Sequence, residues 1–231
     1  MKPFRFQRFQ IYQSEDVFRV GTDAVLLGAL SNVSTAKHAL EIGCGTGIIS
    51  LMIAQRNLSV TIKALDINDQ AAALSIFNFK NSLFADRLSA IEANYSTWKT
   101  DEEFDLIFSN PPYFEENSSQ KHILARQRIS LNFLQLLEKS SILLTENGIL
   151  SIIIPAESVD EIVELASKFH LYLNRKINIY GIEGGTVKRS ILEFSRSEQQ
   201  VVEFDFCIEK APRKYSDQYL EITKDFHVFS K

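Results

Sequence analysis

Residues 38–56 read HALEIGCGTGIISLMIAQR. A short apolar run, His38–Ile42, stops at three alternating glycines, Gly43, Gly45 and Gly47, and a stretch with apolar residues at helical spacing follows. That order predicts strand, tight turn, helix. Glycine tolerates positive φ and lets a backbone approach a ligand closely, as at the first turn of dinucleotide-binding folds. The nicotinamide fingerprint would require Gly or Ala at position 48, where this chain has Ile48.

Outward from this turn the pattern repeats. VTIKALDI (60–67), LSAIEA (88–93), FDLIFSN (104–110) and GILSIIIP (148–155) read as strands, and NDQAAALSIFNFKNS (68–82), SLNFLQLLEKSSILL (130–144) and SVDEIVELASKFH (158–170) as helices. LYLNRKINIY, RSILEFSR and VVEFDFCIE add late strands. Alternation of this kind predicts an α/β fold, a mostly parallel sheet of about seven strands with helices on both faces. Residues 36–231 are expected to form this unit, with no interdomain linker. Residues 1–35 are expected to be an N-terminal extension packed on it, with a hairpin in FRFQRFQIYQ and a short helix capped by Thr22 or Asp23.

Composition narrows the class further. With 231 residues, 45% hydrophobic and 23% charged, the chain is globular, and no apolar run reaches the roughly 18 residues of a membrane span. The start, MKPFRFQRFQ, lacks the apolar core of a secretion signal, so a soluble cytoplasmic protein is expected. Cys44 and Cys207 are read as reduced thiols, and the four histidines show no metal-ligand spacing, so no metal is expected. A net charge of −4 argues against a protein that coats nucleic acid. Basic residues nevertheless cluster at Lys121, Arg126 and Arg128, and at Lys188, Arg189, Lys210, Arg213 and Lys214.

Two further positions carry chemistry. Asp66 closes the second strand nineteen residues after Gly47, where a carboxylate can accept from both hydroxyls of a bound ribose. Asn110-Pro111-Pro112-Tyr113 follows FDLIFS directly. Two prolines fix the backbone and remove donors, leaving carbonyls to accept from a ligand.

Glu41-x-Gly43-x-Gly45-x-Gly47 resembles the first motif of Rossmann-like S-adenosylmethionine-dependent methyltransferases. The resemblance implies that the glycine backbone lies under the methionine part of the cofactor, with Glu41 and Asp66 also at its site. Asn94 stands where that class usually has an acidic residue contacting the adenine, and its amide oxygen is a candidate acceptor. N-P-P-Y is similar to the motif of methyltransferases acting on planar nitrogens, in DNA or RNA bases or in protein glutamine. It implies that the Asn110 side-chain oxygen and the Pro111 carbonyl accept from the target amine while Tyr113 stacks on the flat target. The segments FRFQRFQIYQSEDVFRVGTDAVLLGAL, EIGCGTGIISLMIAQR, SNPPYF with Ala125-Arg126, and YSDQYLEITKDFH together resemble the bacterial family that methylates N6 of adenine 37 in a valine tRNA. This implies S-adenosylmethionine as cofactor and tRNA as partner, with Thr22 and Asp23 as further cofactor contacts and no obligate protein partner. Arg126 and Arg128 are the expected RNA contacts, and Phe4, Phe6 and Phe9 are either base-stacking or core residues. A release-factor glutamine methyltransferase shares N-P-P-Y but usually carries a separate N-terminal helical domain, for which some 35 residues are too few. A noncatalytic binding module would not call for amine-directed acceptors.

Overall fold

The computed structural model describes residues 3–17, 19–111 and 133–228. In chain order these form β1 (Phe4–Arg5), β2 (Gln10–Ile11), α1 (Thr22–Leu30), β3 (His38–Ile42), α2 (Ile48–Arg56), β4 (Thr61–Asp66), α3 (Asp69–Lys80), β5 (Leu88–Glu92) and β6 (Phe104–Ser109). After helix α4, described over 133–143, come β7 (Leu144–Pro155), α5 (Val159–Ser167), β8 (Tyr172–Ile182), β9 (Val187–Ser195), β10 (Val202–Ala211), β11 (Lys214–Tyr215) and α6 (Asp217–Thr223). No helix among the described residues is long and apolar enough to cross a membrane.

One sheet holds nine strands in the order β11-β10-β8-β9-β7-β6-β3-β4-β5, and β1 and β2 pair separately. The sheet thus has more strands than the seven or so expected: the segments read as strands from sequence are β3 to β10, and the two-residue β11 adds one at the edge. β10 runs parallel to β8, from Val202 beside Arg175 to Glu209 beside Ile182, and β11 folds back on β10. The resemblance to Rossmann-like methyltransferases leads one to expect a sheet that ends in an antiparallel strand; instead the reversed strand β9 lies inside the sheet, antiparallel to both β7 and β8. The four residues between β8 and β9 permit only a hairpin, with Gly184 at φ 74°.

Alternate strand residues point to opposite faces, so each strand feeds two cores. Ala39, Leu106, Phe108 and Ile153 face α2, α3 and the N-terminal hairpin, whereas Leu40, Ile107, Ile152 and Ile154 face α4 and α5. Ile152–Ile154 are fully buried, as a strand covered on both faces requires, and each contributes roughly 1.5–3 kcal/mol. Ala24–Ala29 of α1 are buried on every side, against α2 and the sheet.

The N-terminal hairpin joins the first of these cores. Phe6, Phe9 and Ile11 are buried there, whereas Phe4 is exposed, so two of the three phenylalanines are core residues. The hairpin is closed from the other end of the chain: Gln7 N–H donates to Phe226 O at 2.9 Å and Gln7 Nε2 to His227 O at 2.9 Å. Capping differs from expectation. Gly21 holds the N-cap of α1 with no side-chain bond, because Asp23 turns instead to Arg189 (3.0 Å). In α3, Asn68 caps Gln70 and Ala71.

Candidate active site

Strands β3, β4, β5 and β6 are parallel and end at one rim. Ile42 lies beside both Leu65 and Ser109, and Asp66 beside Glu92. The glycine turn, Asp66, Asn94 and Asn110 therefore leave the sheet side by side. The chain passes from β3 to β4 on one side and from β6 to β7 on the other, so the crevice between β3 and β6 is the switch point at which open α/β sheets bind ligands.

The turn is built as a cradle. Gly43, Gly45 and Gly47 have φ of 74°, 55° and 76°. A Cβ on Gly43 or Gly45 would meet nothing within 4 Å, so that backbone borders open space, whereas Gly47 is backed by Phe79 and Ser75. The N–H groups of Gly43 and Cys44 donate to Leu65 O at 2.8 and 3.0 Å. Asp66 Oδ2 accepts from Gly45 N–H at 2.8 Å and Oδ1 from Asn68 N–H at 3.0 Å. Each carboxylate oxygen keeps a second acceptor position for a ligand hydroxyl.

Two residues not singled out from sequence fix the turn from α3. Ser75 Oγ donates to Gly45 O at 2.9 Å. Asn78 Nδ2 donates to Thr46 O at 2.9 Å and Tyr12 O at 3.0 Å, while its Oδ1 accepts from Tyr12 N–H at 2.9 Å. Both are fully buried polar residues on the inner face of an amphipathic helix. Polar side chains at those core positions were the available signal.

Glu41 is fully buried, and Ser50 Oγ donates to its Oε2. Its Oε1 has no hydrogen-bond partner among the described residues. Burial pushes its carboxyl up to about 8, and the Asp66 charge adds to the rise. A cation close by would hold this acid ionised against its burial, and S-adenosylmethionine carries both a sulfonium and an ammonium. The open glycine cradle and the unpartnered Glu41 oxygen fit that group.

Asn110 and Pro111 are half-buried at the rim, next to the glycine turn. Ser109 Oγ donates to Ile42 O at 2.8 Å and locks the two strand ends together. Asn94 starts a turn: its Oδ1 accepts from Ser96 N–H (3.0 Å) and Ser96 Oγ (2.6 Å), and its carbonyl accepts from Trp98 N–H (2.8 Å). The amide oxygen expected to meet an adenine is thus engaged locally.

Comparison with known proteins fits this geometry. Residues 10–172 match the family model described as methyltransferase small domain. A tRNA1(Val) (adenine(37)-N6)-methyltransferase from Flavobacteriaceae bacterium (strain 3519-10) is 48% identical over 99% of this chain and 100% of that protein. The chain belongs to this methyltransferase family. Among solved structures, an Agrobacterium tumefaciens protein titled a predicted O-methyltransferase superposes with a TM-score of 0.70 at 17% identity, over 88% of this chain and 96% of that one. An O-methyltransferase from neocarzinostatin biosynthesis, solved with S-adenosylmethionine, superposes with a TM-score of 0.57 at 12% identity, over 75% of this chain and 53% of that one. Both likenesses bear on fold.

Of the positions expected in this methyltransferase, Glu41, Gly43, Gly45, Gly47, Asp66 and Asn110 converge at the rim, with Asn94 beside them. Thr22 and Asp23 begin α1 and line a depression next to β8, β9 and β10. Pro112, Tyr113, Arg126 and Arg128 lie outside the described residues.

Glu41 also sets a pH dependence. The unfolded carboxyl ionises near 4.5 and the folded one near 8, so between these values the unfolded state holds fewer protons. The stability Glu41 contributes is fully present below about pH 4.5 and is lost as pH rises to about 8. Urea unfolding of the wild type and Glu41→Gln across pH 5–9 is expected to show the wild type losing ground steadily up to about 8 and then running parallel to the variant. Parallel curves throughout would place the carboxyl at an ordinary value.

Proposed function

We propose that this protein transfers a methyl group from S-adenosylmethionine to N6 of adenine 37 in the anticodon loop of a valine tRNA. The observation that carries the reading is Asn110-Pro111 at the switch-point rim, directly beside the glycine cradle, in a chain of this family. The cofactor, held by the backbone of Gly43–Gly47 with Asp66 toward its ribose and Glu41 facing its positive charge, supplies an electrophilic methyl group.

The protein's part is acceptor placement. An exocyclic aryl amine is a poor nucleophile because its lone pair is delocalised into the ring. Asn110 Oδ1 and the Pro111 carbonyl accept from its two N–H groups, and these bonds strengthen as the nitrogen becomes tetrahedral, which favours the transition state over the ground state. Pro111 has no N–H to compete, and the proline that follows it in sequence restricts its ψ and so the direction of that carbonyl. The amine needs no base before reaction, since its acidity rises once it is alkylated. An anticodon-loop adenine is already largely unpaired, so moving it into the crevice costs less than flipping a duplex base.

Two acceptors aimed at one amine reject ring nitrogens, which have no N–H to donate. Incubation with unmodified valine tRNA transcript and S-adenosylmethionine, followed by nucleoside mass spectrometry and site mapping, is expected to give N6-methyladenosine at position 37. A transcript with guanosine there is expected to remain unmethylated, having a carbonyl in place of the amine. Formation of 1-methyladenosine, or methylation of a release-factor glutamine with tRNA untouched, would refute the substrate assignment.

A further inference from the structure

A row of aromatic rings crosses the molecule from the hairpin to the catalytic rim. Phe9 stacks on Phe6 (centroids 4.6 Å, 22°), Phe6 on His227 (5.6 Å, 22°), His227 on Tyr219 (6.0 Å, 25°) and Tyr219 on Tyr215 (4.5 Å, 20°). All members but the last are buried or half-buried, and Tyr215 is 44% exposed with one face on Tyr219. The row ends in a depression of about 450 Å³ lined by Thr22, Gly181, Lys188, Arg189, Tyr215 and neighbours.

Sheet register puts this depression on the same rim as Asn110. Arg189 lies beside Pro155 at the C-terminal end of β7, and Glu209 lies beside both Ile182 and Tyr215 where β8 and β10 finish. The reversed direction of β9 is what brings Lys188 and Arg189, at its start, to the end where the parallel strands stop. Charges there sort by partner. Asp23 binds Arg189 (3.0 Å), Asp217 binds Lys210 (2.9 Å), and Glu209 accepts from the Arg213 backbone N–H (3.1 Å). Lys188, Arg213 and Lys214 have no ion pair among the described residues and are exposed.

We infer that this depression is a second RNA subsite, which takes one unpaired nucleotide from the same tRNA as the methylated adenine, several positions away from it, its base stacked at Tyr215 and its phosphate met by Lys188. The inference rests on the tRNA reading above. A size of 450 Å³ suits one nucleotide, an exposed tyrosine backed by a buried stack loses little entropy on receiving a base, and Lys188 on its wall matches a phosphate. The subsite is independent of base identity, since a π face and an ammonium group accept any nucleotide; it positions the RNA and leaves selection to Asn110.

The test uses a labelled, unmodified valine-tRNA anticodon stem-loop with wild type, Tyr215→Ala, Tyr215→Phe and Lys188→Ala. Tyr215→Ala is expected to raise the Kd and KM for RNA roughly tenfold, with kcat and the cofactor Kd unchanged, and Tyr215→Phe to behave as wild type because stacking needs the ring alone. Lys188→Ala is expected to flatten the dependence of log K on log salt by about 0.7, one single-strand phosphate contact. Adenosine 5′-monophosphate is expected to compete only weakly, since a lone nucleotide lacks the anchoring of the connected adenine at Asn110. If wild type methylates the stem-loop while Tyr215→Ala and Lys188→Ala bind it with unchanged Kd and salt slope, the subsite is overturned and the function stands. If wild type neither binds nor methylates tRNA, the function itself falls and the subsite with it. Equal weakening by Tyr215→Phe would overturn stacking as the contact.

Discussion

Asn110→Ala is expected to lower the methylation rate by roughly 10²–10³-fold, the range seen when one group that stabilises a transition state is removed, while S-adenosylmethionine binds as in wild type. The separation follows from the fold. Asn110 sits at the end of β6 with its side chain at the rim, whereas the cradle residues belong to β3 and β4 and are held from α3 by Ser75 and Asn78. Truncating Asn110 leaves Ser109 bonded to Ile42, so the strand ends stay together. Single-turnover rates with tRNA, set beside calorimetric titration of the cofactor, distinguish the possibilities. A variant that loses cofactor affinity but reacts at the wild-type rate when saturated would place Asn110 in the cofactor site and remove it from the amine.

Gly47→Ala is the second large effect and acts on the fold. At φ 76° an L-residue is strained, by roughly 1–2 kcal/mol. The added Cβ would also fall 2.8 Å from Phe79 Cζ and 3.1 Å from Ser75 Oγ. Phe79 is only 1% exposed and cannot yield, so overpacking adds roughly 1–3 kcal/mol. The variant is expected to be less stable by about 2–5 kcal/mol in urea unfolding and to bind cofactor poorly even where folded, because Ser75, which holds Gly45, is displaced. Gly43→Ala and Gly45→Ala meet no neighbour, so their cost in stability is expected to stop at the backbone strain. Equal losses at all three glycines would mean that Phe79 does not back the turn.

The site was legible in sequence where chemistry is local. A strand, three alternating glycines and a helix can only leave the glycine backbone at a strand end, and Asp66 and Asn110 close their own strands, so parallel pairing alone gathers them. Non-local features were not legible. Nothing in VVEFDFCIE states that it pairs parallel with β8 beyond the reversed strand, and KYSDQYLEIT does not announce a short β11 before α6. Thr22 and Asp23 carry helix-capping side chains, yet Asp23 finds Arg189 across the sequence and the cap falls to Gly21. Phe4, Phe6 and Phe9 alternate identically, and only the arrival of Phe226 and His227 decides which two are covered.

The closure of the hairpin by residues 224–227 has a consequence for biosynthesis. Phe6 and Phe9 are among the first residues to leave the ribosome, but the segment that covers them is separated from Gln7 by 217–220 positions. At roughly 5–20 residues per second this is an interval on the order of ten seconds or more. Throughout that time the Phe6 ring lacks His227, and Gln7 lacks its acceptors at residues 226 and 227. The partners of the glycine turn are made earlier: Asn78, which binds Tyr12 and Thr46, is the last of them in sequence. The hydrogen-bond partners that shape the glycine turn thus lie close together near the start of synthesis, whereas those that seal the hairpin span almost the whole chain, so truncation at the C-terminus is expected to expose Phe6 while leaving the turn's own partners in place.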